Sequence, residues 1–436
     1  MTSTEAFAPT RRRRALLIVP IVVMGALLSI PTPVQAASGD YIVVLSSKGP
    51  SPTVAAAQAR GLGANITFVY RHALRGYAAT MSAAAAEALA RTPGVAWIQP
   101  DATVTLVEQV LPTGVDRVDA ELSPTAQIDG LDDQSIDVDI AILDTGVDAS
   151  HPDLRVAGGH ACVKRENPLV DLHGHGTFGG GIAAAVDNDS FVVGVAPGAR
   201  LWGVQVLNRS GGGKVSEVIC GIDWVTSTRT DADPSNDIEV ANMSLGYKGR
   251  DDHDCGLTRT DAMHQAICRS VAAGVTYTVS AGNDSRDSAG LRPAAYDEVI
   301  TVSALQDLDG EPGGFGDMFP SCSALLPDNY EAGVVDDTLA DFSNFGSDID
   351  LIAPGECILS TRTLLTDPGG DGLHVASGTS FSAPHVAGGA ALYLANNPGA
   401  TPAQVRSALI AAGSFDWDNS DDPDGIKEPL LNVAGF

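Results

Sequence analysis

The chain has 436 residues, enough for one large α/β core with smaller appendages. Its 26 basic and 54 acidic residues leave a formal net charge of −28; 9 of the basic and 5 of the acidic residues precede Val110, so the remainder holds 17 and 49 and carries −32. A surface this acidic argues against nucleic acid or an anionic membrane as partner, since both demand a basic footprint, and suits a self-repelling monomer that binds cations.

At the N-terminus, Arg11 to Arg14 precede the apolar stretch Ala15 to Ile30, then Pro31 and Pro33, then Val34-Gln35-Ala36. That order is a secretory signal peptide spanning residues 1–36, and it predicts a secreted, extracellular protein with no membrane attachment after cleavage. The stretch is short and interrupted by Pro20, which disfavours a permanent anchor. All six cysteines, Cys162, Cys220, Cys255, Cys268, Cys322 and Cys357, follow the signal, so disulfides are their expected state. Cys255 with Cys268 and Cys322 with Cys357 are nearest along the chain and leave Cys162 with Cys220, one connectivity among those the count allows. No Cys/His spacing suggests zinc.

Residues 37–110 read as strand Tyr41–Leu45, an Ala-rich helix from Pro52 to Leu62, strands from Ile66 to Tyr70 and on to Met81, a second Ala-rich helix near Ala83 to Ala90, and a strand from Val95. The order β-α-β-β-α-β is a small ferredoxin-like α+β unit. Residues 111–436 alternate strand-like and helical runs: Ile136 to Leu143, a helix from His175, Leu201 to Leu207, Val215 to Val225, Val240 to Leu245, Ala262 to Ala273, Val275 to Ala281, Val299 to Ala304, Ile349 to Ala353, and a helix from Ser380 to Ala395. Such alternation predicts an α/β domain, a parallel sheet sandwiched by helices. Residues 306–340 form an excursion rich in Gly, Pro and carboxylates, pinned through Cys322.

Four segments carry chemistry. The apolar strand Asp139 to Leu143 ends on Asp144, ahead of the break at Gly146, and so places a carboxylate at a strand's carboxyl end, where open α/β sheets bind ligands. His173-Gly174-His175-Gly176-Thr177 is a glycine-rich turn that runs into small residues fit for a tightly packed helix, and Ser377-Gly378-Thr379-Ser380 opens a helix whose first turn tolerates Pro384. A serine hydroxyl is a weak nucleophile unless an imidazole takes its proton, and the imidazole needs a carboxylate to hold its tautomer. Ala281-Gly282-Asn283 offers a side-chain amide where a tetrahedral oxyanion needs a donor. Taken singly each segment is ordinary turn or cap chemistry, and it is the joint pattern that points to a serine peptidase.

Together, from about Val110 to Phe436, these segments resemble the subtilisin-like serine proteases, the subtilases, whose Asp, His, Asn and Ser occur in this order. The resemblance implies Asp144 as orienting carboxylate, His175 as general base, Asn283 as oxyanion donor and Ser380 as nucleophile. The family's second histidine, three positions after the catalytic one, is replaced by Phe178, a change expected to alter packing more than chemistry. The family further implies that residues 37–110 are an inhibitory propeptide, cut between Thr105 and Pro112, and that polypeptide substrates pair with strand edges at Ser244-Leu245-Gly246 and Gly211-Gly212-Gly213. It implies a calcium site at Asp153 and Asn188. The run Asp416 to Gly425 reads as a solvated acidic loop. The competing readings are a non-catalytic protein of the same fold and an esterase-type acyl hydrolase.

Overall fold

The computed structural model describes residues 38–101, 109–313, 336–366 and 370–436, in two compact units, residues 1–105 and 106–436. The expected signal segment, Cys322 and the centre of the 306–340 excursion lie outside the described residues.

In the first unit, strands β1 (Ser38–Leu45), β2 (Asn65–Tyr70), β3 (Gly76–Ser82) and β4 (Val95–Pro100) form an antiparallel sheet in the order β2-β3-β1-β4. Val43 and Leu45 of β1 and Tyr77, Ala79 and Met81 of β3 alternate toward one face. Helices α1 (Pro52–Gly61) and α2 (Ala83–Ala90) cover that face through Leu89 and through Ala55, Ala56, Ala59 and Ala86, whose small side chains allow close approach. Pro52 starts α1 where its missing N–H costs nothing, and Ser82 caps α2 by accepting the Ala85 N–H. The expected ferredoxin-like unit is present.

The second unit opens with the short helix α3 (Thr113–Asp116) and is built on strands β5 (Asp139–Asp144), β6 (Val156–Ala161), β7 (Arg200–Gln205), β8 (Val240–Met243), β10 (Thr276–Ser280), β12 (Ile300–Gln306), β13 (Thr338–Leu339) and β14 (Leu351–Pro354). The sheet order is β13-β12-β10-β8-β5-β7-β6, with β14 also on β12; every pairing is parallel except that of β13. Both faces are buried, which is why these strands read as near-continuous apolar runs. On one face Ile140 and Ile142 pack with Ala183 and Ala184 of α4 (His175–Ala184) and with Val386, Ala387 and Ala390 of α7 (Thr379–Asn396). On the other, Ala141 and Leu143 meet Val218 and Ile222 of α5 (Val215–Thr228) and Met263 and Ile267 of α6 (Ala262–Ala272).

Several elements escaped the sequence reading. The two-residue strands β9 (Tyr247–Lys248) and β11 (Leu291–Arg292) pair with each other, as do β15 (Ile358–Thr361) and β16 (Leu373–Ala376), and α8 (Pro402–Ala412) follows α7. Pro384 does not sit in the first turn of α7 as expected: the helix starts at Thr379 and carries the proline in its interior. The fold absorbs it because the carbonyl that Pro384 leaves without an N–H, that of Ser380, accepts the Ser244 hydroxyl at 2.7 Å. The Asp416 run is not simply solvated either. Trp417 is 3% exposed and its indole N–H donates to the Glu428 carbonyl at 2.9 Å, which draws the loop onto the apolar cluster around Leu305 and Ile352. Disulfides join Cys162 to Cys220 and Cys255 to Cys268, two of the expected pairs. Among the described residues no helix is long and apolar enough to cross a membrane.

Candidate active site

The carboxyl ends of β5, β8 and β10 and the N-termini of α4 and α7 converge on one edge of the sheet, the usual location of function in an open α/β fold. Asp144 closes β5 with its side chain 2% exposed, and the Thr145 N–H donates to its Oδ1 at 2.7 Å. His175, the first residue of α4, donates from Nδ1 to both carboxylate oxygens, at 2.8 and 2.9 Å. That fixes the tautomer and leaves Nε2 as the basic nitrogen. Asp144 raises the His175 pKa above the ordinary imidazole value; burial opposes this, and the charge of Asp171 adds to it. His173, the other histidine of the turn, makes an edge contact with His175 at 6.1 Å between ring centroids, and it is His175 that Asp144 holds.

The turn is organised by Asp171, a residue the sequence reading passed over. Fully buried, it accepts the His173 and Gly174 N–H groups and the Thr145 hydroxyl on Oδ1, and the Thr177 N–H and hydroxyl on Oδ2, all at 2.7–3.0 Å. These bonds satisfy the orphan donors at the start of α4 and place a negative charge at its positive end. Gly176 has no alternative here, since a Cβ would lie 2.1 Å from the Gly146 carbonyl oxygen. The signal in the sequence was an acidic residue four positions before the candidate base.

Ser380 lies in the first turn of α7 beside Phe381, whose ring is 5.5 Å from that of His175. A chain of side chains runs to its backbone: Thr278 Oγ1 donates to Asn242, Asn242 Nδ2 to Ser244 Oγ, and Ser244 Oγ to the Ser380 carbonyl. Asn283 follows β10, and its Oδ1 accepts both the Thr379 N–H at 2.9 Å and the Thr379 hydroxyl at 2.7 Å. Only the amide oxygen can face two donors, so Nδ2 points the other way. A Cβ on Gly378 would meet that Nδ2 at 3.3 Å and the Ser380 nitrogen at 3.8 Å; at φ 152° the glycine leaves this donor-lined space open. Asn344, also unforeseen, holds the Asn283 turn by donating to the Ala281 carbonyl and accepting from the Asp284 and Arg286 N–H groups.

Ser244, Leu245 and Gly246 line one cavity of about 570 Å³ together with Gly211, Gly212, Gly213, His173 and His175, so both expected substrate segments border the histidine. A second cavity of about 260 Å³, on Phe178, Arg362, His374 and Phe381, also reaches His175. Phe178 is buried and packs on Phe381 at 4.4 Å between centroids, consistent with the packing role expected of it.

Asp153 is fully buried, and Asn188 Nδ2 donates to its Oδ1 at 2.8 Å and the Val192 N–H to its Oδ2 at 3.2 Å. Burial still pushes its pKa up to about 7. Gln109, not anticipated, directs its amide at the Val186 and Val192 carbonyls. Carboxylate, two side-chain amides and two carbonyls are an oxygen set suited to calcium once both amides turn their oxygens inward.

A carboxylate-oriented imidazole, a serine at a helix start and a braced amide on a parallel α/β sheet define a serine hydrolase. Comparison with known proteins makes the class specific. The subtilase family model matches residues 135–425, and that of the peptidase inhibitor I9 family matches residues 40–107. Subtilisin NAT of Bacillus subtilis subsp. natto and Subtilisin E of Bacillus subtilis (strain 168) are each 34% identical over 343 residues, 78% of this chain and 75% of theirs. The crystal structure of a cold adapted subtilisin-like serine proteinase superposes with a TM-score of 0.54 at 31% identity, covering 75% of this chain and 98% of that one. The chain belongs to the subtilase family. It is a subtilisin-like serine endopeptidase preceded by an I9-type inhibitor domain, the arrangement of a zymogen.

Proposed function

We propose that Ser380 is the nucleophile, His175 the general base and acid, Asp144 the orienting carboxylate, and Asn283 with the Ser380 N–H the oxyanion donors. Ser380 Oγ attacks the scissile carbonyl while His175 Nε2 takes its proton; the carbonyl oxygen becomes an oxyanion held by Asn283 Nδ2. Collapse of this intermediate breaks the peptide bond, and His175 returns the proton to the leaving amine. Water then repeats the sequence on the acyl-enzyme. The observation that carries this reading is the pair of His175–Asp144 hydrogen bonds within reach of a serine-bearing helix and an asparagine whose oxygen is already engaged. Peptide substrates lie along Ser244–Gly246 and Gly211–Gly213, the segments that share the cavity with His175.

The proposal extends to the chain's organisation: residues 1–36 direct secretion, 37–110 are the intramolecular inhibitor, and 111–436 are the mature, monomeric, extracellular enzyme. Calcium, held by Asp153 and Asn188, would stabilise the fold and takes no part in the chemistry.

The test is to express the full chain and Ser380→Ala in a secreting host and compare intact mass and N-terminal sequence. The wild type is expected to lose the segment up to about residue 110 and to cleave a protein substrate, and the variant to retain the segment and cleave nothing. A variant that still hydrolyses peptide overturns the assignment of Ser380.

A further inference from the structure

The densest acidic run of the sequence, Asp416 to Gly425, is gathered by the fold into one place. One carboxylate oxygen from each of Asp422, Asp424 and Glu428 lies within 4.8 Å of the other two. Asp422 is 8% exposed and Glu428 4%, and Asp422 Oδ2 is buried without a hydrogen-bond partner. Among the described residues no Lys or Arg forms an ion pair with any of the three, and Lys427 lays its ammonium over the Trp417 ring instead, 5.6 Å from its centroid. Burial, reinforced by mutual repulsion, pushes Asp422 up to about 6 and Glu428 up to about 8. Left without a counter-charge, this arrangement costs stability at neutral pH.

We infer that Asp422, Asp424 and Glu428 form a second binding site for calcium, separate from the Asp153 pocket and independent of the peptidase assignment. The ligand set is all oxygen, which selects a hard cation. Calcium tolerates the irregular geometry that carboxylates from one loop and nearby carbonyls offer, whereas magnesium demands a near-ideal octahedron and gives up its waters reluctantly. Backbone carbonyls and water complete the shell. The bound ion ties the loop to the core at the point where Trp417 is anchored to the Glu428 carbonyl and Leu430 bridges Ile352.

The experiment uses the full chain with Ser380→Ala to prevent self-digestion, and counts calcium equivalents by calorimetry. Glu428→Gln and the exposed-site change Asp424→Ala should each bind one equivalent fewer, or bind it at least tenfold more weakly, with unchanged circular dichroism. Terbium in place of calcium should show emission sensitised by tryptophan that disappears in Trp417→Phe while the calcium count stays the same. An unchanged count in Asp424→Ala, whose fold is not at risk, overturns the site, as does terbium emission indifferent to Trp417. If the pair Asp422 and Glu428 instead shares a proton, neither substitution alters the count and the inference fails.

Discussion

At the scale of single residues, the site depends on which atom of each side chain is already committed. Asn283 Oδ1 is engaged by Thr379, so its Nδ2 is the atom left for the oxyanion contact proposed for it. Asn283→Ala should lower kcat by about 10²–10³, the magnitude known from removing this donor in subtilisin itself, with KM nearly unchanged, because the bond strengthens only as charge develops. Steady-state kinetics on a peptide anilide checks the split; a loss confined to KM would make Asn283 a ground-state contact. His175 gives the second prediction. The role proposed for it as base requires neutral Nε2, and Asp144 favours the protonated ring, so its pKa lies above the ordinary imidazole value. Activity is therefore lost as pH falls through that raised value and recovered above it. The acid limb of kcat/KM should lie above the usual value of about 6.5, and a limb below it would mean that Asp144 does not govern the imidazole.

At the scale of elements, the start of α4 is held by one buried carboxylate. Asp171→Ala strands five donors, three backbone N–H groups and two hydroxyls, in a dry environment. The expected cost is about 3 kcal/mol or more in urea denaturation, together with a fall in kcat as His175 loses its register with Ser380. A variant that keeps wild-type kcat at reduced stability would show that the turn only folds the helix and does not position the base. Asp171 also shows where sequence reading stops. The segments around Asp144, His175, Asn283 and Ser380 stood out because each residue lies within two positions of a glycine, and Asp144 and Asn283 also follow an apolar run, marks left by strand ends and tight turns. Asp171, Asn242, Asn344 and Gln109 carry no such mark: Asp171 takes four of its five bonds from within six residues, but only the fold turns its carboxylate onto them, and the other three reach partners 36 or more positions away. The long strands and helices were visible because both faces of the sheet are buried and the periodicity is strong. The two-residue strands β9 and β11 are too short to carry a pattern, and β6, Val156-Ala-Gly-Gly-His-Ala161, has glycines where a strand signal needs β-branched residues. Pro384 was misplaced because the donor that makes an interior proline tolerable, the Ser244 hydroxyl bonded to the Ser380 carbonyl, lies 136 residues away.

At the scale of the whole molecule, an excess of acid sets how stability depends on pH and on cations. The peptidase unit keeps several carboxylates in the interior, and two of them, Asp153 and Glu428, sit where calcium is proposed, with pKa values raised by burial to about 7 and about 8. In the unfolded chain both titrate near pH 4. Between pH 4 and 8 the folded state therefore binds more protons than the unfolded state, and stability contributed by these groups falls as pH rises, with the loss complete above their folded values. A calcium ion supplies the positive charge that the departing protons remove, so it binds more tightly as pH increases and cancels the loss. The difference in Tm between calcium and chelator should accordingly be small at pH 5 and grow steadily to pH 8, measured by scanning calorimetry on the Ser380→Ala chain, where self-digestion does not intervene. Asp153→Asn and Glu428→Gln should each flatten part of that rise, because each removes one titrating carboxylate and one ligand at once. A calcium effect on Tm that is constant across this range would show that the ion binds elsewhere, at carboxylates already ionised at pH 5.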